Sequence, residues 1–115
     1  MAGPNPNFMA GVPELMVLRL LNDREMYGYE IVAAIREGTG DVVRAGEGVI
    51  YPVLHALEKD GALAARRKAV NGRSRVYYSL TPKGQRRLAG LSQDWEALAD
   101  AITSVLKGRR HAPAV

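Results

Sequence analysis

Three patterns in the 115-residue sequence predict a mainly α-helical fold that carries one β-hairpin. Apolar residues recur at helical spacing as far as residue 61, and again after residue 81. Between these stretches, from Leu63 on, the period shortens to two around the pair Asn71-Gly72. The last helical stretch spaces its apolar residues alternately by three and four, as the seam of a coiled coil does. With 47% hydrophobic and 24% charged residues, the chain has the composition of one globular domain rather than of a disordered or fibrous one.

The elements follow in order. "MAGPNPNFMAG", residues 1–11, is rich in Pro, Gly and Asn and is expected to form a flexible arm. In "VPELMVLRLLND", Pro13 suits a first helical turn. Val12, Leu15, Met16, Leu18 and Leu21 make a broad apolar face, and Asn22-Asp23 end it. "YGYEIVAAIREGTG" reads as a second helix with Tyr27, Ile31 and Ile35 spaced by four, stopping at Gly38 to Gly40.

A third helix lies in "EGVIYPVLHALEKDG", where Ile50, Val53, Leu54 and Leu57 form one stripe and Gly61 marks the stop. Proline is tolerated in the first turn, whose N–H groups have no partner within the helix, and is costly later. Pro52 therefore predicts a helix over 48–60, with Gly48 as its N-cap and its regular turns beginning near Val49. The outer side then presents Tyr51, His55 and Lys59 at i, i+4 and i+8, with Pro52 beside them.

"LAARRKAV" and "RVYYSL" flank "NGRS", a strong hairpin signal because Asn and Gly both tolerate positive φ. Val76, Tyr78 and Leu80 share one face of the second strand, and Arg75, Tyr77 and Ser79 the other. A lone hairpin is marginal, so it is expected to lie against the helices. Thr81 caps a last helix with Pro82 at its first position. Its seam comprises Leu88, Leu91, Trp95, Leu98, Ile102 and Val105, about two and a half heptads. "KGRRHAPAV" is a polar tail.

Charge is unevenly divided. Residues 1–60 hold 5 Lys/Arg against 9 Asp/Glu, and residues 61–115 hold 11 against 3. The third helix is itself acidic, since Glu47, Glu58 and Asp60 outweigh Lys59. The cations sit instead in the hairpin segment 66–75, "RRKAVNGRSR", which has five, Lys68 among them, and no acid. A tip made of Arg73 and Arg75 beside Asn71-Gly72 suits a nucleic-acid backbone or a minor groove. Lys83, Arg86 and Arg87 fit added phosphate contacts and an ordinary solvated helix face equally well.

Other classes find little support. The chain has no cysteine, and its two histidines, His55 and His111, stand in no Ser/His/Asp grouping. Its glycine-containing loops lack a following Lys-Ser/Thr, and no cluster of metal ligands is visible. No enzyme activity, cofactor or metal is expected. No apolar run is long enough for a bilayer, and no basic region followed by an apolar run opens the chain, so a cytoplasmic location is expected.

Helix–helix–helix–hairpin–helix is the order of a winged helix-turn-helix extended by a C-terminal helix, in which the third helix enters the DNA major groove. The expected units are an arm (1–11), a winged helix-turn-helix (12–80), a dimerisation helix (81–107) and a disordered tail (108–115). The rival reading uses the same hairpin against an acidic protein surface, as a winged-helix interaction module without specific DNA binding.

"YGYEIVAAI", "EGVIYPVLHALEKDG", "NGRSRVYYSLTPKG" and the Trp-containing last helix together resemble the PadR family of transcriptional regulators, over roughly residues 12–107. The single last helix resembles the compact subgroup. The resemblance implies a homodimeric winged-helix repressor that reads a pseudo-palindromic operator and is often released by a small aromatic effector or a stress signal. It places Tyr51, Pro52 and His55 in the recognition helix, and Asn71, Gly72, Arg73, Ser74 and Arg75 in the wing. Tyr27 and Tyr29 fall at the helix that abuts the DNA backbone. Trp95 matches a tryptophan that in some compact members stacks flat aromatic ligands at the dimer interface. Glu47-Gly48 departs from the family, where a small hydroxyl residue is common.

Overall fold

The computed structural model describes residues 11–108, so all but the last residue of the expected arm and all but the first of the expected tail lie outside the described residues. Four helices and three strands follow in the order α1 (Val12–Asp23), β1 (Met26–Tyr27), α2 (Gly28–Gly38), α3 (Glu47–Lys59), β2 (Leu63–Val70), β3 (Arg73–Leu80) and α4 (Pro82–Leu106). The strands form one antiparallel sheet in the order β1-β3-β2. Val17, Leu18 and Leu21 of α1, Ile31 and Ile35 of α2, and Ile50, Leu54 and Leu57 of α3 close on one another beneath Tyr78 of the sheet. These are the apolar positions that helical periodicity selects.

Three expectations need correction. The first concerns α3, which begins at Glu47 with Gly46 as N-cap, two residues earlier than Pro52 suggests. The N–H groups of Val49 and Ile50 both donate to the Gly46 carbonyl at 3.0 Å, which winds the first turn there. Pro52 is thus the sixth helical residue and has no N–H to give the Gly48 carbonyl one turn earlier. Both Pro52 and Gly48 are exposed, so water reaches that carbonyl's side of the helix.

The second is Tyr27, which is not the first residue of a helical stripe. It ends a two-residue strand, β1, paired through Met26 with Tyr78 and through Tyr27 with Tyr77. Its own N–H donates to Glu30 Oε1 at 3.1 Å, which satisfies a donor at the start of α2.

The third is the seam of α4. Leu88 is buried in the chain's own core and Leu91 packs half-buried against it, beside α1, so these two are used within the chain. Only the stretch from Trp95 onward is left uncovered. The close seating of α4 on the sheet depends on Gly84, where a Cβ would overlap the Ala62 carbonyl and the Leu80 side chain. Thr81 caps the helix, its Oγ1 accepting from the Gly84 N–H at 3.1 Å.

The hairpin turn has the expected form. Asn71 (φ 52°) and Gly72 (φ 77°) both lie in the left-handed region, the backbone of a two-residue turn matched to the twist of its strands.

Candidate nucleic-acid interface

The first turn of α2, the outer side of α3 and the tip of the hairpin surround one open groove of about 660 Å³. On one wall stand Tyr51 and His55, a turn apart on α3, their ring centroids 6.1 Å from each other and tilted by 45°. The other wall is the hairpin, where Arg67, Arg73, Ser74 and Arg75 border the groove, Arg75 reaching it from the outward strand face over the ring of Tyr27. Tyr27 and Tyr29 line the end where α2 begins. Three guanidinium groups and no carboxylate border the groove, so its field favours an anion.

Tyr51 is less free than a helical wheel suggests. It is half-buried against the core and lies across Gly28, where any Cβ would run into its ring. His55, one turn further, is exposed. The pair therefore offers one anchored phenol and one exposed imidazole, both able to hydrogen-bond phosphates or base edges.

Charge on the hairpin is sorted by strand face. Pairing of Lys68 with Arg75 and of Arg66 with Tyr77 puts these four side chains on the side away from the helices. There they build a covering layer. The Arg75 guanidinium lies 4.2 Å above the Tyr27 ring, Tyr27 meets Tyr77 edge-on at 5.5 Å, and Lys68 Nζ stands 4.6 Å above Tyr77. This layer explains why Tyr77, on the outward face, is only 8% exposed. Glu25 closes it with ion pairs to Arg66 and Lys68.

Among the described residues Lys59, Arg67, Arg73, Arg75, Arg86 and Lys107 have no acidic partner within ion-pair distance. Lys83 and Arg87 are both drawn to Asp60, and Arg87 also to Glu14, 2.7 Å away.

Of the residues singled out from sequence, Tyr27, Tyr29, Tyr51, His55, Arg73, Ser74 and Arg75 come together at the groove. Asn71 and Gly72 form the exposed tip. Gly48, Pro52 and Lys59 are exposed on α3 but do not border the groove, and Lys68 is turned toward Glu25. Four bordering residues, Gly28, Arg67, Val76 and Tyr78, were not singled out as site residues. Arg67 was legible from the period of two that puts Leu63, Ala65 and Arg67 on the helix-facing side, whereas the slot at Gly28 has no sequence signal of its own.

The uncovered end of α4 is a second feature. Trp95 is 48% exposed, Leu98 55%, Ile102 49% and Val105 73%, an apolar stripe facing solvent in the single chain. Trp95 borders a shallow groove of about 190 Å³ shared with Leu15 of α1 and Leu91. No helix among the described residues is long and apolar enough to cross a membrane.

Comparison with known proteins agrees with this layout. Residues 17–90 match the transcriptional regulator PadR-like family. A transcriptional regulator of Mycobacterium tuberculosis is 34% identical over 105 residues, spanning 90% of this chain and 92% of that protein. A PadR-like transcriptional regulator from Bacillus cereus superposes with a TM-score of 0.78 at 30% identity, covering 90% of this chain and 99% of the other. A PadR family transcription regulator from Clostridium difficile gives 0.74 at 26% identity, covering 84% and 99%.

Proposed function

We propose, since this chain belongs to the PadR-like family of transcriptional regulators, that it is a homodimeric repressor reading a pseudo-palindromic operator. The family is one of regulators and not of enzymes. Residues 12–80 act as the DNA-binding unit and 81–107 as the dimerisation helix. In this reading α3 enters the major groove with Tyr51 and His55 toward the bases, while the wing follows the backbone with Arg67, Arg73 and Arg75.

The observation that carries the reading is the acid-free groove between α3 and the hairpin, whose three arginines lack an acidic partner. An acidic α3 alone would repel DNA, so the attraction has to come from the wing. A small planar aromatic effector stacking on Trp95 belongs to the same reading and has in support the half-exposed ring.

Electrophoretic shift against the DNA flanking the protein's reading frame, repeated over a range of salt, tests it. Binding is expected to weaken steeply with salt. Arg73→Ala should weaken binding to all sequences and reduce the salt slope by about 1 per bound protomer. His55→Ala should instead change base preference, by about 1–3 kcal/mol at the base it meets. Equal losses from both substitutions on every sequence would remove this assignment of roles, and binding to acidic proteins but not to duplexes would favour the interaction module.

A further inference from the structure

Two of the five cations in the hairpin segment are already spoken for inside the protein. Glu25 immediately precedes β1 and reaches across β3 to the side chains of β2. Its Oε1 accepts from Arg66 Nε at 3.2 Å and from Arg66 Nη2 at 3.0 Å. Its Oε2 accepts from Arg66 Nη2 at 2.9 Å and from Lys68 Nζ at 2.7 Å. Lys68 is further held over the Tyr77 ring. One carboxylate thus engages both outward cations of β2, while Arg67 between them points the opposite way, into the groove. The two cations in turn hold the Glu25 carboxyl down to about 2, so it is ionised at neutral pH.

Resting on the DNA-binding reading, we propose that Glu25 is a specificity-determining residue that ties Arg66 and Lys68 to the protein, so that the wing arginines left for a duplex are those bordering the groove, Arg67, Arg73 and Arg75. The physical reason lies in what phosphate contacts do. Each added cation strengthens attachment to every sequence alike through counterion release. Arg66 and Lys68, which do not border the groove, would reward a duplex lying where Tyr51 and His55 cannot reach its bases. Holding them back lowers attachment to bulk DNA without touching the reading side, which is specificity gained by weakening the wrong complex.

The test compares salt slopes on a random-sequence duplex and on the DNA flanking the reading frame. Glu25→Gln keeps the shape of the side chain and removes its charge. It should steepen the slope on random duplex by about 1–2 per bound protomer and lower the preference for the flanking DNA. The triple variant Glu25→Gln/Arg66→Gln/Lys68→Gln should return the slope to that of the unaltered protein. A folded Glu25→Gln protein with an unchanged slope overturns the proposal. Should Glu25→Gln not fold, Arg66→Gln/Lys68→Gln decides: an unchanged slope supports masking, and a loss of about 1–2 means both cations already meet phosphate and overturns it. Absence of salt-dependent binding by the unaltered protein to any duplex would remove the DNA-binding reading, and this inference with it.

Discussion

A Cβ at residue 28 would run into the ring of Tyr51, so the start of α2 accommodates that ring only because Gly28 has no side chain. The atoms met are at the far end of Tyr51, so the ring, and not the backbone, has to give way. Gly28→Ala should push Tyr51 out of its half-buried seat and destabilise the fold by about 1–2 kcal/mol, in the range of mild overpacking. In a Tyr51→Ala background the same substitution should cost little, leaving a coupling of about 1 kcal/mol in a double-mutant cycle followed by urea unfolding. Equal costs in both backgrounds would show that something else demands glycine there. At this scale the sequence was partly legible. Helical spacing placed Tyr51 and His55 on one side of α3 but said nothing of α2 beside them. One tyrosine therefore proved half-buried while the histidine a turn away is exposed. The ion pair of Lys68 was not legible for a similar reason, because its partner Glu25 is 43 residues away in the chain.

Elements were legible where the signal is local. Asn71-Gly72 fixes a turn by its own backbone preferences, and Thr81-Pro82 fixes the start of α4 by capping and a preset φ. Strand β1 was not legible, because two residues cannot display a period and their pairing with β3 is set by tertiary contact. The start of α3 misled because proline usually sits in a first turn, and here the sixth position tolerates it. Pro52 lies inside the helix and is exposed. Replacing it restores an N–H one turn after Gly48 and removes the clash of the ring with that carbonyl, against the unfolded-state entropy that proline withholds. Pro52→Ala should therefore stabilise the protein by about 1–2 kcal/mol, seen as a higher urea midpoint at an unchanged slope. A lower midpoint would mean that the pyrrolidine ring packs on something that matters to the fold. If Pro52 also meets DNA, the same variant should bind less well while being more stable, separating a functional use from a structural one.

The whole molecule is long, 66 Å by 36 Å by 20 Å, with the 25-residue α4 reaching beyond the core that seats its first turns. The three-four spacing of its apolar residues was plain in the sequence, but spacing does not say which helix answers it. Leu88 and Leu91 meet α1 of the same chain, whereas Leu98, Ile102 and Val105 face solvent in one copy. A second copy is the occupant that the proposed function requires, because two recognition helices on a pseudo-palindrome need a fixed separation. In a two-fold dimer each residue of the stripe counts twice. Removing Ile102 from both copies forfeits about 1.5–3 kcal/mol each, and a carboxylate in its place adds the cost of burying charge. Ile102→Asp should thus weaken self-association by at least about a hundredfold, since 1.4 kcal/mol is a factor of ten. Sedimentation should show the unaltered protein at twice the chain mass and the variant at the chain mass, with α1–α3 and the hairpin still folded. Operator binding should fall with the loss of the second half-site, while the weak attachment of a single wing to random duplex persists. A variant that keeps the doubled mass would place the interface elsewhere, and an unaltered protein at the chain mass would leave the exposed stripe to a different partner.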